Sequence, residues 1–301
     1  MAHDTMRGKT CLITGGTSGI GKEIARALAK MDAKVVVVGR NKSSCEETVQ
    51  EIRRGILPYL HTNNNPISYM LADLSSQASI RRLSQEFLAT HSSLDVLVNN
   101  AGVFLPKRAT TVDGIEYTFA VNHLAPFLLT NLLFERLMAS TPSRIITTSS
   151  VAYKGAHINF DDIQFEERRY NGLKAYAQSK LANILFTKEL SRRSEGTGVT
   201  SNCFHPGGVR TKLVRTGPWY YRIIWTMIGA FLVTPQRGAD TAVYLASSSE
   251  VKKISGKYFE KRKQASLSKA ADDSEAAIRL WKLSEELTHI KTEQWNKKPG
   301  L

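Results

Sequence analysis

Ile13-Thr14-Gly15-Gly16-Thr17-Ser18-Gly19-Ile20-Gly21 constrains this chain more than any other stretch. An apolar run, Cys11-Leu12-Ile13, leads in, and a helical pattern leads out with Ile24, Ala25, Leu28 and Ala29 on one face. The order is strand, glycine turn, helix. Gly15 permits a sharp turn, Gly19 a close approach of backbone to a diphosphate, and Gly21 tight packing of helix on strand. The start of that helix offers unpaired N–H groups and a partial positive charge to phosphates. Glycines at this spacing also serve as plain turns, so the rest of the chain has to decide.

The run Ala33-Lys34-Val35-Val36-Val37-Val38-Gly39-Arg40 is continuous and β-branched, the mark of a strand buried on both faces and so parallel and central. Further strands are expected over 67–71, 94–98, 144–150, 199–204 and 256–259. Helices are expected over 43–54, 113–133, 175–191, 239–246 and 272–287, with Pro126 kinking or unwinding the long one. Such alternation argues for a doubly wound parallel α/β sheet of the Rossmann type, with helices on both faces. With 301 residues, 42% of them hydrophobic, and no linker or internal repeat, one domain is expected over 1–301. Its core spans about 8–260, a lid about 212–235, and a C-terminal helix with a frayed tail about 270–301.

The end of the second strand lies where a dinucleotide's ribose would sit, roughly 20 residues past the glycines. Gly39 stands where an NAD site carries an acid, and Arg40 follows it. A guanidinium there suits a 2′-phosphate, so NADP(H) is favoured over NAD(H), while a surface arginine ending a strand stays open. Asp73, just past the third strand and followed by Leu74, fits an adenine contact, a helix N-cap, or both. Asn99-Asn100-Ala101-Gly102 suits a tight turn whose amides brace neighbouring strands.

Tyr176 and Lys180, four apart on a helix, share a face. An ammonium beside a phenol favours the phenolate and is expected to lower its pKa from about 10 toward the working range. Such a tyrosine gives a proton to a carbonyl oxygen or takes one from an alcohol. Ser150 ends the fifth strand, placed to bond the same oxygen. Asn122, polar inside an apolar helix, can order a water that relays protons to Lys180.

In this order the residues resemble the short-chain dehydrogenase/reductase family. The motifs are Thr14-Gly15-x-x-x-Gly19-Ile20-Gly21, Asp73, Asn99-Asn100-Ala101-Gly102, Asn122, Ser150, Tyr176-x-x-x-Lys180 and Pro206-Gly207 with Thr211. The resemblance implies a catalytic set of Asn122, Ser150, Tyr176 and Lys180. It implies cofactor contacts from Gly15, Thr17, Ser18, Gly19, Ile20, Gly21, Arg40, Asp73, Leu74, Asn100, Ala101, Gly102, Tyr176, Lys180, Pro206, Gly207, Val209 and Thr211. Ser150 is chosen over Ser149 because the family places its serine after a small residue.

Within the family the chain is similar to the retinol dehydrogenase and retinal reductase-like branch. The shared residues are Gly21-Lys22-Glu23, Val121-Asn122-His123-Leu124 and His205-Pro206-Gly207-Gly208-Val209-Arg210-Thr211. That branch implies NADP(H) and a lipophilic alcohol, aldehyde or ketone. Steroid, other lipid or protochlorophyllide-type reduction is the alternative within the family, and a non-catalytic nucleotide-sensing regulator the distant one.

The net charge of +14 suggests an anionic partner or a solvated basic surface, with Lys252, Lys253, Lys257, Lys261, Arg262 and Lys263 forming one basic run. No nucleic-acid motif accompanies it. The aromatic stretch 218–233 reads as a lid, a subunit contact of a homo-oligomer, or a peripheral membrane contact. Three scattered cysteines give neither metal-ligand spacing nor a disulfide framework, so no metal is expected. The polar N-terminus and the lack of a run of roughly 18–20 apolar residues argue for a cytoplasmic chain without signal peptide or anchor.

Overall fold

A computed structural model describes residues 6–57, 66–208 and 233–292. Its strands are β1 (Thr10–Thr14), β2 (Lys34–Gly39), β3 (Ile67–Leu71), β4 (Val96–Asn99), β5 (Ser143–Thr148), β6 (Val199–His205), β7 (Tyr258–Glu260) and β8 (Lys263–Gln264). They form one sheet in the order β3-β2-β1-β4-β5-β6-β7-β8. All neighbours pair parallel except β7 and β8. The order reverses between β1 and β4, and the crevice at their carboxyl ends is where doubly wound sheets bind ligands.

Alternate strand residues feed two cores. Cys11, Ile13, Val35 and Val37 pack with Ile24 and Leu28 of α1 (Gly19–Lys30), Ile52 of α2 (Lys42–Ile56) and Leu245 of a later helix over Pro235–Ser247. Leu12, Val36 and Val38 pack with Leu83 of α3 (Gln77–Thr90) and with Phe127 and Leu133 further along. The four-valine run is thus buried on both faces, as its composition requires.

Caps set the helix starts. Asn41 accepts from Ser44 N at 2.9 Å to open α2, and Ser76 accepts from Ser79 N to open α3. Asp73 therefore does not cap α3; its carboxylate accepts from the Ser75 amide and hydroxyl in a local turn.

The long helix expected over 113–133 is instead three pieces: α4 (Tyr117–Phe119), a π-turn (Ala120–Leu124) and α5 (Ala125–Ala139). Pro126 has no N–H to give the Asn122 carbonyl four residues earlier, so the helix widens just before it. The remaining α-helices among the described residues are α6 (Gly172–Arg193), α7 (Pro235–Ser247), α8 (Lys269–Asp272) and α9 (Ser274–Thr288).

Two differences lie near the C-terminus. Lys261 and Arg262 take positive φ and turn the chain back into β8, a strand the sequence did not announce. Thr292, expected in a frayed tail, is buried, because the enclosed indole N–H of Trp281 needs an acceptor and finds its hydroxyl at 3.0 Å.

Gly21 packs so closely that a Cβ would stand inside contact distance of the Gly15 carbonyl and the Asn100 amide. Gly21→Ala is expected to cost about 1–3 kcal/mol in urea unfolding through overpacking. Gly55, on open helix surface with only an Arg26 nitrogen 3.7 Å from its Cβ position, should gain about 0.4–1 kcal/mol as alanine. Equal midpoints for the two variants would contradict this packing.

Candidate active site

The glycine turn is held from below by β4. Gly15 has φ +64°, and its Cβ position lies 2.9 Å from Ala101 Cα, so only glycine fits. Asn100 Nδ2 donates to the Thr14 carbonyl at 3.0 Å, while Thr14 Oγ1 accepts the amides of Asn100 and Ala101 at 3.0 and 3.1 Å. The bracing expected of the Asn99–Gly102 stretch is therefore aimed at the turn itself. Ser18 sits at the N-cap of α1 without making a side-chain capping bond, and the first turn of α1 carries no acid. That leaves an uncapped helix start facing the crevice, suited to a phosphate.

At the end of β2, a Cβ on Gly39 would lie 2.6 Å from both Cys45 Sγ and Thr17 Cγ2. An acidic side chain is sterically shut out of the ribose position. Arg40 is exposed and donates to the Tyr117 hydroxyl at 3.3 Å, which brings α4 to the rim of the same crevice. Tyr117 carries no motif and was invisible in the sequence.

A second group of side chains gathers on the other side of Asn99–Gly102. A Cβ on Gly102 would stand 3.4 Å from both Asn122 Oδ1 and Lys180 Nζ, so these two groups flank one glycine. Lys180 is buried and donates to the Thr148 carbonyl at 3.1 Å, which Asn183 Nδ2 also reaches at 3.1 Å. Its ammonium lies 5.5 Å from the centre of the Tyr176 ring. Phe104 meets that ring edge-on at 6.1 Å.

The two adjacent serines divide clearly. Ser149 is buried and donates to the Lys180 carbonyl at 2.8 Å, which ties β5 to α6. Ser150 accepts from Ala152 N at 3.2 Å, and its hydroxyl lies near enough to the Tyr176 phenol to favour the ionised form.

Two expectations about this group need correcting. The phenol of Tyr176 is not lowered: exclusion of water pushes it up to about 12, and the Ser150 hydroxyl pulls it only part of the way back. The same burial brings Lys180 down to about 8. Asn122 does not hold out its amide for a water, either. Its Oδ1 accepts from Val103 N at 2.7 Å, and its Nδ2 reaches Val103 O at 3.0 Å and Ser179 Oγ at 2.9 Å. The side chain is spent on bracing the loop after β4.

Pro206 and Gly207 follow β6, with Gly207 at φ +86°. Val209, Thr211 and the aromatic stretch up to residue 232 lie outside the described residues. Among the described residues no helix is long and apolar enough to cross a membrane.

The family model for short chain dehydrogenases matches residues 9–218. The chain belongs to the short-chain dehydrogenase family. It is 41% identical over 300 residues to human retinol dehydrogenase 13, covering 98% of this chain and 89% of that one. To human retinol dehydrogenase 14 it is 44% identical over 294 residues, covering 93% and 86%. Among solved structures it is similar to an uncharacterized protein from Mycobacterium paratuberculosis, with TM-score 0.77, 32% identity and 97% of each chain covered. An NADP complex of RhlG from Pseudomonas aeruginosa gives TM-score 0.66 and 26% identity over 85% of this chain and 95% of that one. As a short-chain dehydrogenase the chain is an oxidoreductase, and the crevice above β1 and β4 is its candidate active site.

Burial of Lys180 has a pH consequence. The unfolded chain keeps this proton up to 10.5 while the folded chain releases it near 8. Between those values the unfolded state binds more protons, so this residue makes stability rise with pH across that window. Any advantage of Lys180→Met over the wild type in denaturant midpoint should therefore shrink from pH 8 to 10.5. A difference that stays constant would mean the ammonium is not desolvated.

Proposed function

We propose that the chain is an NADP(H)-dependent oxidoreductase acting on a lipophilic alcohol or carbonyl. The reading rests on one observation: the turn that can hold a diphosphate and the group Ser150–Tyr176–Lys180 are joined through four residues, Asn99 to Gly102. Asn100 and Ala101 hold the turn, while a Cβ on Gly102 would stand 3.4 Å from Lys180 Nζ.

The cofactor fits the residues present. The uncapped start of α1 would hold the diphosphate, Asp73 and Leu74 would border the adenine, and Arg40 would meet the 2′-phosphate beside a glycine that leaves no room for a ribose-binding acid. Lys180 would bond the nicotinamide ribose. The NADP complex of RhlG supports this choice. When bound, NADP(H) supplies the hydride.

The chain's own residues handle the oxygen. Tyr176, still protonated at neutral pH, donates to the carbonyl oxygen during reduction and withdraws the proton from an alcohol in the reverse direction. Ser150, whose oxygen accepts from Ala152 N, would turn its own proton from Tyr176 to the same substrate oxygen. The Lys180 ammonium stabilises negative charge as it develops on the phenol. Asn122 stiffens the loop through Val103, and water ordering passes to its main-chain carbonyl, which Pro126 cannot serve as a donor.

A lipophilic substrate is supported by the exposed apolar side chains beside the catalytic group. Val151 follows Ser150 directly and is 39% exposed, and Leu173 sits one turn before Tyr176 and is 58% exposed. The retinol dehydrogenases that the chain is similar to agree with that character.

Tyr176→Phe should lower turnover of an apolar aldehyde by about 10²–10⁴-fold while NADPH affinity stays nearly unchanged. Retained turnover would overturn the role of Tyr176. Arg40→Asp should raise the KM for NADPH and leave that for NADH equal or lower, followed by absorbance at the nicotinamide band. No change in either KM would remove the 2′-phosphate reading.

A further inference from the structure

Ser150 is held from both sides by consecutive residues of β6. On one side the β5–β6 ladder runs one residue past the end of β5, with Ser149 N donating to the Phe204 carbonyl at 2.8 Å. On the other side Val151 N donates to Nδ1 of His205 at 3.4 Å. Ser150 itself is extended, with φ −162° and ψ 150°, and caps the short 3-10 turn Val151–Tyr153. Within that turn Ser150 Oγ takes the Ala152 amide at 3.2 Å and the Ser150 carbonyl takes the Tyr153 amide at 3.1 Å. Val151 carries the first N–H of the turn, which no turn carbonyl can accept. The imidazole of His205 supplies that acceptor.

An imidazole accepts at Nδ1 only when it is neutral with its proton on Nε2. A second proton at Nδ1 would set a donor against the Val151 N–H and break the hold. The charged and titratable groups facing the ring come from two elements. Glu260 lies opposite His205 in the β6–β7 register, and Lys154, just past the 3-10 turn, pairs with it at 3.9 Å. Tyr258 donates to Glu260 at 3.0 Å, and Tyr153 stacks edge-on to Tyr258. Burial and Lys154 hold His205 below its ordinary 6.5, and Glu260 works against them.

We propose that His205 is a positioning residue for the reaction: its neutral ring anchors the Val151 amide and thereby fixes the Ser150 hydroxyl against Tyr176. This rests on the reading of Ser150 and Tyr176 as the groups that meet the substrate oxygen. His205 acts on them through the Val151 amide.

Two variants separate anchoring from bulk. In His205→Asn the side-chain oxygen stands about where Nδ1 stood and does not titrate. In His205→Phe the ring stays and the acceptor is lost. With NADPH and an apolar aldehyde, kcat is measured from about pH 5 to about pH 8, and thermal midpoints check folding. The Phe variant should lose about tenfold in kcat, the scale of one hydrogen bond, with the KM for NADPH unchanged. The Asn variant should stay within about twofold of wild type near pH 7 and lack the wild type's acid limb below 6.5.

Wild-type kcat in a folded Phe variant, an equal loss in a folded Asn variant, or an acid limb kept in the Asn variant would each overturn the proposal. A wild-type chain that turns over no substrate fails the proposed function instead. In that case the Val151 amide resonance decides by NMR. It should move with His205 ionisation in the wild type and stay still in the Asn variant, and an amide that ignores the titration overturns the anchoring.

Discussion

Asn100 donates its side chain to the Thr14 carbonyl while Thr14 Oγ1 gathers the amides of Asn100 and Ala101, and this two-way tie fixes the glycine turn against the end of β4. The three bonds join distant parts of the chain at partly buried positions, where leaving a buried polar group unmet costs about 1–3 kcal/mol. The turn is therefore not a floppy loop that closes around a ligand. It is a preformed cradle, with Gly15 bent back on Ala101 and Gly21 seated on the Gly15 carbonyl. Two residues past Asn100, a Cβ on Gly102 would stand 3.4 Å from Lys180 Nζ and Asn122 Oδ1, so a short stretch of backbone separates the cradle from the Lys180 group.

Burial governs the electrostatics of that second group. Lys180 is enclosed with one carbonyl partner, and its charge is held at a cost that moves its pKa down to about 8. The phenol of Tyr176 is moved the opposite way by the same exclusion of water. At neutral pH both protons are in place, the form suited to giving a proton. Local side-chain ties then carry the geometry: Ser149 joins β5 to α6, Asn122 joins the π-turn to the loop after β4, and β6 brackets Ser150.

The sheet was legible because its signals are local: a run of four valines, glycines at a turn, and apolar spacing that switches between strand and helix. Tyr176 and Lys180 were legible for the same reason, since four residues on a helix define a face. The π-turn at Ala120–Leu124 was only hinted at by Pro126, because widening depends on which carbonyl loses its donor. The direction of the phenol's pKa needed the surroundings of the hydroxyl, which no spacing encodes. Arg40 was visible as a charge at a strand end, while its partner Tyr117 comes from a distant helix. Likewise the His205–Val151 contact joins residues 54 apart, and Trp281 reveals why Thr292 is ordered only once the enclosed indole is seen. What stayed hidden are pairings between distant residues, which arise only when the sheet brings its edges together.

The central claim is that this crevice moves a hydride between a nicotinamide and an apolar carbonyl. It is tested most directly with NADPH deuterated at the nicotinamide C4 and a panel of apolar aldehydes, retinoids, steroids and quinones, with products read by mass spectrometry. At least one alcohol product should carry a single deuterium on its carbinol carbon. Oxidation of the cofactor without deuterium in any product, or no cofactor consumption across the panel, would contradict it.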